Sequence, residues 1–415
     1  MFAFFRAYFY PEVHGVEDIA GGIFAPAGFK AGTAECGIKA TGRPDLVLIV
    51  SDEPSVCAGM FTSNRIKGAP VLVSRENVKD GIARAIIANS GNANVCNGEE
   101  GLSSAISMTN DVARLVGCEP TDVLVASTGV IGRTFPIEKV ENGIPRAVDS
   151  LSPVYRDTIA RAIMTTDTKP KETSVEVDIG GTPVRIGAIA KGSGMICPTL
   201  ATMFCFITTD AVIEQSPLKS ALRQAVDRSF NRITVDGDMS TSDTVLVLAS
   251  GQAGNGTIRK RTKSFDIFTD ALTEVSLRMA KAIVQDGEGA TRLITITVSG
   301  ATGIDDARKV GLAVANSPLV KTAFFGGDPN WGRIICAAGY SGVAVEESRI
   351  SIDVNGVRLF DAGKVMDVDE TEMRRKLEPR DISVDIDLGM GEARATVYTS
   401  DMSYEYIKIN AEYTT

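Results

Sequence analysis

The sequence predicts an α+β fold in which helices layer against largely antiparallel sheet, and two observations carry that prediction. Helical and strand-like apolar patterns alternate irregularly along the 415 residues, without the steady β-α-β rhythm of a doubly wound parallel sheet. Hairpin signals recur: SVEVDI, a Gly-Gly pair and TPVRIGAIA; ISIDVNGVRLF around an Asn-Gly turn; and DISVDIDLGMGEARATVYTSD. Neither ANSGNANVCNGEEG (88–101) nor FFGGDPNWGR (324–333) has the spacing of a P-loop or of a strand-borne G-x-G-x-x-G, so nucleotide cradling is weakly supported.

The elements follow in order. PDLVLIVSD (44–52), PVLVS (70–74) and ARAIIANSG (83–91) read as buried strands ending in turn residues. LSSAISMTNDVARLVG (102–117) has helical spacing and closes on Gly117, a C-cap residue. DVLVAST (122–128) is a strand, and LSPVYRDTIARAIM (151–164) opens Ser-Pro, which suits an N-cap followed by the first helical position. After the Gly-Gly hairpin, PLKSALRQAVDRSF (217–230) and FDIFTDALTEVSLRMAKAIVQD (265–286) are amphipathic helices. TVLVLAS (244–250) and RLITITVSG (292–300) are strands, and the two late hairpins complete the chain. The length exceeds what one core usually holds, so two domains or one large layered domain are expected; no Pro/Ser linker or short repeat marks a boundary.

Composition narrows the chemistry. Hydrophobic residues at 44% and charged residues at 23% are ordinary for a globular protein. Net charge is −9 with the cations scattered, which argues against a nucleic-acid partner, since that requires a basic face. Seven dispersed cysteines without a CxxC pair point away from a disulfide framework or zinc site and towards a reducing cytoplasm. The aromatic MFAFFRAYFYPEVHG lacks the pattern of a signal peptide, and no apolar run approaches the roughly 18 residues of a spanning helix. No membrane association is therefore expected. His14 is the single histidine. A nucleophile here would then take an amine or a carboxylate as its base.

One stretch is compatible with that chemistry. In KGSGMICPTLATMFCFITTDA (191–211), Lys191 precedes a Gly-Ser-Gly turn, and Thr202 opens an apolar strand directly after the small Ala201. Most such threonines are packing. If the Ala201–Thr202 bond breaks, however, Thr202 becomes an N-terminus whose α-amine, with a reference pKa of about 8, serves as base for its own hydroxyl. VASTGVIGR (125–133) ends a strand at Thr128-Gly129, where N–H groups and a hydroxyl could hold an oxyanion, although an ordinary turn fits as well. MTTDTKPK (164–171) sets hydroxyls at a helix end, either to read an amino-acid substrate or to cap the helix. QDGEGATR (285–292) presents Glu288 between glycines, open to a substrate ammonium or merely to solvent. The Asn-rich turn at 88–101 fits a structural role, and Trp331 fits packing.

Taken together, KGSGMICPTLATMFCFITTDA, STGVIGR, MTTDTKPK, ANSGNANVCNGEEG, QDGEGAT, GGDPNWGR and the terminal YIKINAEYTT closely resemble the ArgJ family of ornithine acetyltransferases (glutamate N-acetyltransferases). The resemblance runs in register from about residue 16 to the end. It implies a DmpA/ArgJ-like αββα sandwich and autoproteolysis between Ala201 and Thr202 into an α chain (1–201) and a β chain (202–415). It also implies that these chains assemble as an α2β2 heterotetramer. By the same resemblance Thr202 is the nucleophile, and Thr128 and Gly129 form the oxyanion hole. Thr165, Lys191, Thr202, Glu288, Asn410 and Thr415 bind substrate. The implied reaction moves acetyl from N2-acetylornithine to glutamate in cyclic arginine biosynthesis, without metal or other cofactor, and bifunctional members also use acetyl-CoA. Many members carry a histidine where this chain has Cys197, and the first dozen residues have no counterpart in the family. An N-terminal-nucleophile amidohydrolase or aminopeptidase is the competing expectation, with water resolving the acyl-enzyme.

Overall fold

The computed structural model describes residues 15–40, 42–197 and 203–412. Its strands in chain order are β1 Val16–Asp18, β2 Phe29–Ala34, β3 Leu46–Phe61, β4 Ile82–Asn92, β5 Val123–Val130, β6 Lys171–Asp178, β7 Pro183–Lys191, β8 Phe204–Thr209, β9 Ile233–Thr234, β10 Thr244–Ala249, β11 Leu293–Ala301, β12 Ser351–Val354, β13 Val357–Asp361, β14 Lys364–Val365, β15 Asp381–Asp387 and β16 Ala393–Ser400. Among the described residues they make two sheets. The nine-stranded sheet runs β1-β6-β7-β8-β10-β3-β4-β5, with β2 on β3, and the seven-stranded sheet runs β14-β13-β12-β15-β11-β16-β9.

Period-two alternation sorts the apolar side chains onto two faces of the large sheet. On β3, Leu46 and Leu48 pack with Met108 and Val112 of helix Gly98–Val116 and Ile144 of helix Ile137–Asp149. Val47 and Ile49 point the other way, into a core that also holds Ile159, Phe204 and Phe206. On β8 and β10, Cys205, Ile207, Val245 and Val247 meet helices Gln215–Arg228 and Lys263–Gln285. The same core takes in Ile233 and Tyr398 of the second sheet, and Lys281 Nζ lies 4.7 Å from the Tyr398 ring centroid. The second sheet packs its own core of Ile294, Ile296, Val384 and Ile386 against helices Ile304–Ala315 and Trp331–Gly339. The result is an α+β sandwich, as expected. Both sheets are mixed, with parallel pairs β4/β5, β8/β10, β11/β15 and β9/β16.

Three local expectations are corrected. PVLVS is not a strand but part of helix Ala69–Asn77. Pro70 is tolerated as its second residue, and Ser74 Oγ both donates to Val125 O at 2.6 Å and accepts from Val125 N at 2.7 Å, so the helix covers the edge strand β5. The helix expected over 151–164 shrinks to Thr158–Ala162. Its front half is taken by a backbone bridge in which Ser152 and Ala31 exchange hydrogen bonds of 3.1 Å each. The last expected hairpin is absent, because β11 lies between β15 and β16, parallel to the first and antiparallel to the second. The connection crosses the end of β11, where Met390 N donates to Gly300 O at 2.7 Å and a Cβ on Gly391 would lie 2.3 Å from Ala301 O. No helix among the described residues is long and apolar enough to cross a membrane.

Candidate active site

Three strand ends of the large sheet converge. β7 ends at Lys191, whose register partner is Phe204, the first residue of β8. Phe204 also pairs with Thr244, the first residue of β10. The pairing continues one residue earlier: Thr244 N donates to Met203 O at 3.1 Å, and Met203 N donates to Asp243 Oδ1 at 3.0 Å. Near them lie Thr128-Gly129, among the last residues of β5 before it ends at Val130, in parallel register with Ser90-Gly91 of β4. Lys191 Nζ lies 3.4 Å from Thr128 Oγ1, and both side chains are 2% exposed.

Loops complete the cleft. Thr165 and Thr166 follow the short helix Thr158–Ala162, and the neighbouring Asp167 is the buried anchor of their loop. Asp167 Oδ1 accepts from Gly192 N and from Lys171 Nζ, both at 2.7 Å, and its Oδ2 accepts from Thr165 N at 3.0 Å. Lys171 then reaches Asp286 Oδ2 at 2.6 Å, so one buried ammonium ties 164–171 to the loop carrying Glu288. Glu288 N donates to Ser193 O at 2.8 Å. Gly194 leaves room for the Glu288 carboxylate, because a Cβ there would lie 2.5 Å from Glu288 Cδ. Asn410, on helix Tyr404–Glu412, donates from Nδ2 to Glu288 Oε2 at 2.8 Å.

The charges are set by burial and by neighbours. Burial would raise Asp167, but the ammonium groups of Lys171 and Lys191 and the Gly192 N–H outweigh it and hold the carboxyl at about 2. Lys191 is lowered by burial, with Asp167 opposing the shift and Lys171 reinforcing it. Asp243 moves the other way, raised well above the usual carboxylate range by burial that the Met203 N–H and Lys191 do not offset. Burial pushes the Cys197 thiol up to about 11 and raises Cys205 as well, the opposite of a reactive thiolate.

Of the residues singled out in the sequence, Thr128, Gly129, Thr165, Lys191, Glu288 and Asn410 all line this one cleft. Ala201, Thr202 and Thr415 lie outside the described residues, as does His14. Glu288 is half-buried rather than open to solvent. The Asn-rich turn is structural in its bonding: Asn89 Nδ2 donates to Asn92 O and Asn94 Nδ2 to Gly101 O, while Asn94 itself has φ +50°. Trp331 stacks on Phe360 with ring centroids 5.0 Å apart. Sequence reasoning missed Asp167 and the wall formed by Ser240, Thr241 and Ser242, which leads into Asp243. The available signal was GDMSTSDT, a run of hydroxyls and acids placed directly before the apolar strand TVLVLA.

The ArgJ family model matches residues 30–415, which takes in every lining residue of the cleft. The chain belongs to the ArgJ family. An arginine biosynthesis bifunctional protein ArgJ from Symbiobacterium thermophilum is 46% identical over 402 residues, covering 96% of this chain and 100% of that protein. A protein of the same name from Geobacter sulfurreducens is 47% identical over 389 residues, covering 94% of this chain and 99% of its own length. Among solved structures, an arginine biosynthesis bifunctional protein ArgJ from Bacillus halodurans is 39% identical with a TM-score of 0.49, covering 51% of this chain and 98% of that one. This ArgJ-family chain is an acetyltransferase of arginine biosynthesis.

Proposed function

We propose that the protein transfers acetyl from N2-acetylornithine to glutamate through an acetyl ester on Thr202. In this reading the chain first cuts itself between Ala201 and Thr202, and the pieces 1–201 and 202–415 assemble as α2β2 in the cytoplasm. Thr202 Oγ then attacks the acetyl carbonyl, with its own α-amine taking the hydroxyl proton. The oxyanion rests against Thr128 and the Gly129 N–H, ornithine leaves with the proton, and the glutamate amine attacks the ester in turn. Lys191 pairs with the substrate carboxylate. Thr165, Glu288, Asn410 and Thr415 hold its remaining polar ends. Exchange of an amide for an amide is close to thermoneutral, so the chemistry requires no energy source. The word bifunctional in the relatives' names supports a second activity, which we read as acetylation of glutamate from acetyl-CoA.

The observation that carries this reading is the meeting of strand ends. Thr128-Gly129, Lys191 and the start of the β8 segment, where Met203 immediately follows Thr202, all lie at one mouth of the sheet. Incubation with N2-acetylornithine and glutamate tests it: ornithine and N-acetylglutamate should appear in equal amounts. Ornithine without N-acetylglutamate would instead assign the amidohydrolase reading. On a denaturing gel the active protein should run as two bands of about half size, with Thr202→Ala uncut and inactive. Full activity from a persistently single full-length band would overturn the nucleophile assignment.

A further inference from the structure

A second cavity stands beside the catalytic cleft and shares Thr165 with it. Its volume is about 300 Å³, and Lys39, Arg43 and Arg161 line it together with Met164 and Asp167. Three cations in one hollow stand out in a chain of net charge −9 whose Lys and Arg residues are otherwise scattered. The single acid among the described lining residues does not cancel them. Asp167 already accepts from Lys171 Nζ and Gly192 N at 2.7 Å each and from Thr165 N at 3.0 Å.

Each cation has donors to spare. Lys39 lies in the loop between β2 and β3, where the buried Asp45 accepts from Cys36 N and Ile38 N at 2.7 Å and from Lys39 N at 3.1 Å, fixing the turn. Lys39 Nζ donates to Ala162 O at 3.5 Å and to Met164 O at 3.2 Å, carbonyls at the end of the short helix Thr158–Ala162 that lack an intrahelical partner. An ammonium has three N–H groups, so one remains. Arg161 Nε meets Asp157 Oδ2 at 2.9 Å in an exposed pair, and its two terminal nitrogens have no protein partner among the described residues. Arg43 makes no hydrogen bond or ion pair among the described residues. Burial lowers the Lys39 ammonium, with Asp45 and Asp167 opposing the shift, and an anion in the cavity would oppose it further.

We propose that this cavity binds the phosphate groups of acetyl-CoA when that thioester supplies the acetyl group. The inference rests on the acetyl-CoA reading above and gives that donor a site of its own. Two planar guanidinium forks beside one ammonium match tetrahedral oxyanions that carry more than one charge. N2-acetylornithine offers a single carboxylate and a side-chain ammonium that three cations would repel. A donor with its phosphates at the far end of a flexible arm can leave them here while its acetyl end lies across Thr165 in the cleft. The acetyl step is then as before, with the donor's sulfur leaving with the proton in place of the ornithine nitrogen.

Steady-state kinetics on the purified enzyme test this, with Arg43→Gln, Arg161→Gln and the double variant beside wild type. Both arginines are exposed, and the acetylornithine–glutamate reaction of the same preparation reports folding. Loss of charge-assisted bonds to phosphate should raise the KM for acetyl-CoA by about 10-fold or more in the double variant. Its KM values for N2-acetylornithine and glutamate should stay near wild type. S-acetylpantetheine keeps the thioester and lacks the phosphates, so it should be a poor donor for wild type and insensitive to both substitutions. An unchanged KM for acetyl-CoA in the double variant overturns the proposal. A raised KM for glutamate with acetyl-CoA unaffected overturns it in favour of the acceptor's carboxylates. If the double variant loses both reactions, wild type decides: equal use of S-acetylpantetheine and acetyl-CoA overturns the phosphate site, and a strong preference for acetyl-CoA supports it. A wild-type enzyme that turns over N2-acetylornithine but never acetyl-CoA rejects the acetyl-CoA reading itself, and the site with it, a result distinct from the others.

Discussion

At Gly129 the backbone adopts φ +130°, and an added Cβ would lie 2.3 Å from the carbonyl carbon of Gly91 on the neighbouring parallel strand. Two constraints thus fall on one residue, a left-handed φ and a close backbone approach, and neither can be relieved by a side-chain rotation. Gly129→Ala should lower stability by about 1–3 kcal/mol or more, read as a drop in melting temperature, and should remove acetyl transfer because Thr128 loses its position. A variant with normal transfer would mean that the end of β5 is not part of the reacting site. Lys191 and Asp167 show why residue identity alone is a weak guide. Both are titratable groups with almost no exposure, and each has its charge set in part by groups remote in sequence: Asp167 and Asp243 are 24 and 52 positions from Lys191, and Gly192 is 25 from Asp167.

Among the elements, the helix Ala69–Asn77 and the edge of β5 depend on one hydroxyl. Ser74 Oγ serves both the N–H and the C=O of Val125, in a fully buried position. Ser74→Ala leaves those two backbone groups without that partner and should cost about 1–3 kcal/mol, measurable as a shift in denaturant midpoint; an unchanged midpoint would show that water replaces the hydroxyl there. The same helix shows where elements were legible and where they were not. Long periodic segments such as 265–286 read correctly, because a buried stripe repeated over many turns has no other explanation. PVLVS is too short for its period to separate strand from helix. For β15 and β16, alternation specifies which faces are buried but not which strand lies alongside, so the insertion of β11 between them left no trace in either segment. Of the candidate site, the positions at strand ends and glycine turns were legible. The wall 240–243 was not, since its polar residues look like an ordinary loop until β8 and β10 pair beside it.

Across the whole molecule, the helix Pro318–Phe325 is joined to the second sheet by a buried lysine. Lys321 Nζ donates to Thr399 Oγ1 at 2.9 Å and to the Ser400 carbonyl, and burial lowers its pKa to about 7. The unfolded chain holds that proton up to the ordinary lysine range near 10.5, so between about pH 7 and 10.5 the unfolded state binds more protons than the native one. This group therefore makes stability rise with pH across that window. The slope should be measurable in denaturant titrations at pH 7 to 10, and Lys321→Met should reduce it. An identical slope in both proteins would mean that Lys321 stays charged when buried, through Asp401 and Asp236.

By itself the sequence determined the α+β class, the ArgJ resemblance and the residue types of the site. Those depend on periodicity and on short motifs, which are local properties of the chain. Which strands are neighbours, which hydroxyls and acids line one cleft, and that Asp243 is buried with its Oδ1 on the Met203 N–H were settled only by the fold. The physical reason is range. Strand pairing and desolvation arise between residues tens or hundreds of positions apart, and a carboxyl acquires its chemistry only once the fold has removed it from water.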